Sequence, residues 1–242
     1  MPLDRRRSGR VQAAISSRAQ SEGVPVTVAH VCVACTQALN MSGAGLLLVT
    51  SMGLGEPVYA TDPRTDRLAE LQITLGAGPA HEALCQDRPV LVPDLAATGT
   101  QRRWPIFAPG AHDLGVRAVF AFPLLVGAIA VGVLEVNRQL PGWLSPDQLA
   151  DALLYADAAL LVTLRLTLDK TGDAPAGTGQ ASDGYAGRWA EVHQATGMVA
   201  VQLSVGLSEA FVRLRAYAYT NDRRLAEVAR DIVARRLRLE PD

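Results

Sequence analysis

Apolar positions along this chain repeat with two different periods, and the changes between them mark its elements. From about Val24 to Asn40, Val28, Val31, Cys32, Cys35 and Leu39 recur every three or four residues, which predicts a helix with one buried stripe. At Gly43 the period changes: Ala44 to Thr50 is a short continuous apolar run bounded by glycines, as in a central strand. Pro57 to Thr61 is its expected hairpin partner. Arg67 to Gln86 reads as helix interrupted at Gly76-Ala-Gly78-Pro79, and Arg88 to Asp94 as a short strand between prolines. Residues 97–115 read as a long loop carrying Trp104 and Phe107. Aromatics in a long loop either close over a pocket or plug the edge of a core, and the sequence leaves both open.

The clearest strand signal follows. Ala118 to Val126 and Ala128 to Asn137 are two apolar runs about Gly127, predicting an antiparallel hairpin with both strands largely buried. Glu135 stands near the end of the second run. A carboxylate there costs free energy unless it is paired or solvated, and the expectation is that it faces water. Ser145-Pro146-Asp147 opens a long helix with an N-cap and a first-turn proline, running to about Leu168. Leu149, Leu153, Ala156, Leu160 and Leu164 line one side, while Leu154, Ala158, Leu161 and Val162 make the other apolar too. A helix apolar nearly all round is buried on both sides. One side can pack on the sheet, and the other calls for a second subunit, so a homodimer is expected.

Between 170 and 187 the sequence KTGDAPAGTGQASDGYAG has linker composition. Beyond it come three short helical patterns. Val192, Thr196, Val199 and Leu203 make the first; Ala210, Phe211, Leu214 and Ala218, after a new start at Ser208, make the second. Leu225, Val228, Ala229, Ile232 and Val233, after the Asn221-Asp222 break, make the third. Alanines at core-facing positions allow close packing in a small unit. Such a unit suits binding better than catalysis.

Composition narrows the function classes. Positive and negative side chains nearly cancel (23 Lys and Arg against 24 Asp and Glu), so no global field demands a polyanion or a membrane, though a local basic patch remains possible. Lys170 is the sole lysine, so arginine counts alone carry no argument for RNA contacts. The basic start, Arg5-Arg6-Arg7 to Arg10, is expected to be a disordered, solvated arm. It lacks the apolar core of a signal peptide, and no uncharged run spans a membrane. With an odd number of cysteines, three, a cytoplasmic location is expected. Cys32 and Cys35 sit inside a helical core pattern, where a buried structural pair is the expected reading. The four histidines lack metal-ligand spacing, and there is no nucleophile elbow or Walker loop. The residues therefore point away from an enzyme. A module that binds nucleic acid and one that docks a protein partner both remain open.

The tail carries a further pattern: Gln194-Ala-Thr-Gly197-Met198, Glu209-Ala210, Leu214-Arg215, Ala218, Asn221, Arg223-Arg224-Leu225 and Val228-Ala229. In this it resembles the ANTAR domain, a bacterial RNA-binding antitermination module. The preceding part is similar to a GAF domain through Leu71 to Asp94 and the hairpin end Leu134-Glu-Val-Asn137. Together they resemble the GAF–ANTAR regulators of actinobacteria. The resemblance implies an α+β chain: an antiparallel GAF-like sheet with flanking helices, then a three-helix ANTAR module. The expected divisions are an arm at 1–10, a sensor domain at 11–169, a linker at 170–187 and an RNA-binding domain at 188–238. It further implies binding of paired stem-loops in nascent transcripts. Gripping unstacked loop bases asks for arginines and an aromatic on one face, and Arg213, Arg215, Tyr217, Asn221, Arg223 and Arg224 are the candidates. A small-molecule pocket is implied in the sensor domain, with Trp104, Phe107, Phe120 and Glu135 as candidate lining. The resemblance does not choose the ligand or any cofactor. The rival reading is a ligand-sensing scaffold whose helical tail docks a protein.

Overall fold

The computed structural model describes the backbone of residues 2–50, 53–171 and 183–240, and the side chains of residues 5–50, 56–165 and 189–240. Strands β1 (Gly43–Thr50), β2 (Gly53–Ala60), β3 (Val90–Val92), β4 (Ala118–Val126) and β5 (Ile129–Arg138) form one antiparallel sheet in the order β2-β1-β5-β4-β3. The expected hairpins are both present. Side chains alternate across each strand, so the β4–β5 hairpin feeds two separate cores. Phe120, Phe122, Leu124, Leu134 and Val136 face one layer, formed by helices α1 (Pro2–Glu22), α2 (Val28–Leu39) and α7 (Pro146–Thr171). Val119, Ala121 and Val133 face the other, which holds α3 (Pro63–Leu75), α4 (Pro79–Gln86), α5 (Thr98–Arg103) and α6 (Phe107–Asp113).

The arginine-rich start is helix, not a solvated arm. Arg7 donates to Asp147 Oδ1 at 2.7 Å and Asp151 Oδ1 at 2.9 Å on the first turns of α7. Val11, Ile15 and Ala19, spaced four apart, are buried on the same side of α1. Nor is the segment 97–115 a loop: it forms α5 and α6. Trp104 and Phe107 are 6% and 1% exposed and meet edge to face, 6.2 Å apart at 78°. They plug the core. Cys32 and Cys35 are fully buried in α2, where burial pushes the Cys32 thiol up to about 12 and that of Cys35 well above its ordinary value.

Helix α7 buries Ala152, Tyr155, Ala156 and Ala159 against α2 and the sheet, and α1 packs beside this stripe, at Asp147 and Asp151. Leu153 and Leu161 stay 43% and 59% exposed. The centre of the expected linker, residues 172–182, lies outside the described residues. Beyond it, α8 (Asp183–Leu203), α9 (Leu207–Thr220) and α10 (Leu225–Val233) pack around Val192, Val199, Phe211, Leu214, Leu225 and Ile232. This small core is continuous with the sheet domain through Leu71, Leu75 and Ala77 on and just after α3.

Candidate nucleic-acid interface

Helix α3 holds the centre of the molecule because its two faces do different work. Asp62 caps its N-terminus, accepting from the amides of Arg64 and Thr65 at 2.9 and 3.1 Å, and Gly76, at φ +63°, closes the C-terminus. On the sheet side, Thr65 Oγ1 donates to Asp62 Oδ2 at 2.6 Å and accepts from Asn137 Nδ2 at 2.9 Å. Gln72 Nε2 donates to Glu135 Oε2 at 2.7 Å, while Gln72 Oε1 accepts from the Ala80 amide at 2.8 Å. Glu135 is therefore not at the surface. It is 1% exposed, and burial, partly offset by the Gln72 bond, pushes its carboxyl up to about 7. Glu135 Oε1 and Asn137 Oδ1 have no hydrogen-bond partner.

The opposite side of α3 carries Asp66, Glu70 and the Thr74 carbonyl, four residues apart and so one above another. All three meet the C-terminal helices. Arg224, just before α10, donates through Nε to Glu70 Oε2 at 2.7 Å and through Nη2 to Asp66 Oδ2 at 3.3 Å. The free amide of Ala226, in the first turn of α10, donates to Glu70 Oε1 at 3.2 Å. An uncapped helix N-terminus is thus capped by a carboxylate of the other domain. Arg215 Nε donates to the Thr74 carbonyl at 3.0 Å, placing a cation at the negative end of α3. Its guanidinium lies against Gly76, where an added Cβ would collide with Nη2. Burial lowers the Arg215 pKa. Asp66 and Glu70 are 8% and 7% exposed, so both depend on these partners to offset the loss of water.

The six candidate RNA residues therefore fall into two groups. Arg215 and Arg224 face α3. Arg213, Tyr217 and Asn221 form a line four residues apart on another side of α9, with Arg223 in the turn beyond. Arg213 donates to Glu209 Oε1 at 3.2 and 2.9 Å, and Asn221 Nδ2 to the Tyr217 carbonyl at 2.9 Å. Arg223 meets Asp231 at 2.6 Å, and hydrogen bonds from Arg223 and then Arg236 hold that carboxyl below its ordinary range. These are surface pairs of the kind nucleic-acid phosphates displace at small cost.

The four candidate pocket residues do not converge. Trp104, Phe107 and Glu135 lie on the α3 side of the sheet, and Phe120 points to the opposite layer. The polar groups that do gather under α3, Thr65, Gln72 and Asn137, do not stand out in the sequence, although Asn137 stands two residues from Glu135 on a strand and must share its face. Among the described residues no three His, Cys, Asp or Glu side chains stand together to hold a metal ion, and no single helix is long and apolar enough to cross a membrane.

Comparison with known proteins bears on both parts. The model of the GAF domain matches residues 25–162, and that of the ANTAR domain matches residues 189–233. Among solved structures, the chain is similar to the GAF domain of an Acinetobacter phosphoenolpyruvate-protein phosphotransferase, at 11% identity over 72% of this chain and 99% of that one, TM-score 0.49. It is similar to the GAF domain of the corresponding Coxiella burnetii protein, at 11% over 68% and 99%, TM-score 0.46. A type II free methionine-R-sulfoxide reductase from Thermoplasma acidophilum aligns at 13% over 62% and 96%, TM-score 0.44. No curated protein matches the chain. With a GAF domain over more than half its length and an ANTAR domain after it, the protein belongs to the GAF–ANTAR family of signal-sensing, RNA-binding antitermination regulators.

Proposed function

We propose that this chain binds paired stem-loops in nascent transcripts through its ANTAR domain, keeps a terminator from forming, and does so under control of a signal read by its GAF domain. The observation that carries this reading is the position of Arg215 and Arg224. Both are candidate RNA contacts, and both are held on the same GAF helix, α3, Arg224 at Asp66 and Glu70 and Arg215 at the Thr74 carbonyl. A guanidinium bonded to Glu70 is not available to a phosphate. RNA binding and docking on α3 therefore compete, and whatever loosens α3 favours RNA.

The GAF ligand in this reading acts under α3, where the unpartnered oxygens of Glu135 and Asn137 can accept hydrogen bonds from a donor-bearing small molecule. Two copies associate through α7, whose Leu153 and Leu161 remain at the surface, and this pairs two ANTAR units for two stem-loops. The test of RNA contact is Arg213→Ala with Arg223→Ala, two residues outside the α3 contact. Affinity for co-purifying RNA should fall about tenfold or more, with two charge-assisted bonds removed, and the melting temperature should not change. Wild-type affinity in that variant would sink the assignment. In the rival reading the helical tail docks a protein partner, and partners captured from lysate would then survive nuclease treatment.

A further inference from the structure

A groove of about 860 Å³ runs between α8 and the end of α10, and every residue lining it belongs to the C-terminal helices and the segment after them. Its contents are chemically mixed. Met198 and Ile232 supply an apolar floor and Val201 an exposed apolar rim, Gln194 supplies an amide beside that of Gln202, which donates to the Leu239 carbonyl, and Arg235 and Arg238 stand exposed at the edge. Val201 is 83% exposed. Among the described residues, the side chains of Gln194, Arg235 and Arg238 have no hydrogen-bond or ion-pair partner, in contrast to those of Arg213, Arg215, Arg223 and Arg224. Arg235 is held at φ +59°, in the left-handed turn that ends α10.

Gly197 gives an independent sign that this surface is kept open. It lies inside α8, where glycine is the poorest choice after proline. Close packing would be one reason for a glycine there, yet a Cβ built here meets nothing within 4 Å. No neighbour demands the missing side chain. What it leaves is open space in the wall of the groove.

We infer that the α8–α10 groove is the site where the ANTAR domain takes an unstacked RNA loop base, with the flanking phosphates on Arg235 and Arg238. The inference rests on the RNA-binding reading above. An apolar floor suits the face of a base, with the polarisable thioether of Met198 beneath it. Side-chain amides offer a donor and an acceptor together, as a base edge requires. Two unpaired guanidinium groups complement a polyanion better than a peptide or a second copy of this basic edge. The volume lies within the range of small-ligand sites, roughly 300–1,000 Å³. Because no lining residue comes from the GAF domain, the groove is accessible while Arg215 and Arg224 are still docked on α3. It provides a first contact that does not depend on release.

The experiment uses the full chain and a pool of synthetic RNA hairpins with randomised loops, against blunt duplexes of the same stem, read by fluorescence anisotropy across a salt series. The wild-type chain should prefer hairpins to duplexes. Arg235→Gln with Arg238→Gln should weaken hairpin binding about tenfold or more, and the salt slope should shrink by about 1.4, at ~0.7 for each phosphate no longer neutralised. Gly197→Leu, whose Cβ meets no neighbour within 4 Å and whose side chain projects from the wall of the groove, should abolish the preference for loops while the melting temperature holds or rises. If the wild type binds hairpins and both variants bind them as well as it does, the groove is overturned while the RNA reading stands. Equal binding of hairpins and duplexes by the wild type also overturns it. If the wild type binds no RNA of either kind, the RNA reading falls and takes the groove with it. If Gly197→Leu instead changes the sedimentation of the chain and leaves RNA binding intact, the groove is a protein interface and the inference is wrong.

Discussion

Neutralising the acidic face of α3 should free the ANTAR domain. Asp66→Asn with Glu70→Gln keeps size and shape but removes both charges facing Arg224. Glu70 accepts from the Arg224 guanidinium and from the Ala226 amide, and Asp66 accepts from the same guanidinium. Hydrogen bonds to charged partners contribute about 1.5–3 kcal/mol each when buried, and the Arg224 side chain is 33% exposed, which argues for the lower end. Neutral amides retain some of this. A loss of about 2–3 kcal/mol in the docked state follows, which shifts the docking equilibrium about 30- to 150-fold at 1.4 kcal/mol per decade. Amide exchange at Ala226 should accelerate, and apparent RNA affinity should rise as the competent fraction grows. Because Glu70 also caps α10, a control separates undocking from loss of the cap: Asp66→Asn alone leaves Glu70 accepting from Ala226, so apparent RNA affinity should still rise, by less, while exchange at Ala226 changes less than in the double variant. Unchanged exchange and unchanged RNA affinity in the neutral variant would refute the reasoning.

Three further outcomes follow from other parts of the structure. Burial raises the Glu135 carboxyl from 4.5 to about 7, so the folded chain holds a proton that the unfolded chain releases. Stability therefore falls as pH rises from about 4.5 to about 7, by up to about 3 kcal/mol. In urea titrations Glu135→Gln should abolish that slope, and an unaltered slope would place the proton elsewhere. Leu153→Asp with Leu161→Asp should yield a stable monomer in sedimentation, whereas a persisting dimer would remove α7 as the interface. Gly43 allows Thr65 and Asp62 to approach the sheet, since an added Cβ would collide with Thr65 Oγ1. Gly43→Ala should cost about 1–3 kcal/mol by overpacking, and a denaturation midpoint equal to wild type would contradict the geometry.

The sheet and the three ANTAR helices are legible in the sequence because their patterns are local. Alternation in β4 and β5 assigns each side chain to a layer, and the three- and four-residue spacing of apolar positions on each tail helix, around Val192, Leu214 and Ile232, marks buried stripes directly. The start of the chain misleads because Arg5 to Arg10 resembles a solvated tail, while the buried line of Val11, Ile15 and Ala19 is only three residues deep. Without α1, too much of the apolar surface of α7 is assigned to a partner. Trp104 and Phe107 look like loop residues because α5 and α6 are too short to show a period. The site is harder still. Asp66 and Glu70 are one turn apart on a polar side of α3, as on any solvated helix, and only tertiary structure brings Arg224 and Ala226 to them. The expected exposure of Glu135 fails for a similar reason: the residue that bonds its Oε2, Gln72, lies 63 residues away.

The central claim is that the chain is an RNA-binding antiterminator under GAF control. It is tested most directly by crosslinking the full-length protein to RNA in cells and sequencing what it holds. The account predicts transcripts enriched in two adjacent stem-loops just ahead of a terminator, with more RNA recovered from Asp66→Asn with Glu70→Gln than from wild type. Recovery of no RNA above background from either chain, or of transcripts with no shared stem-loops, would contradict it.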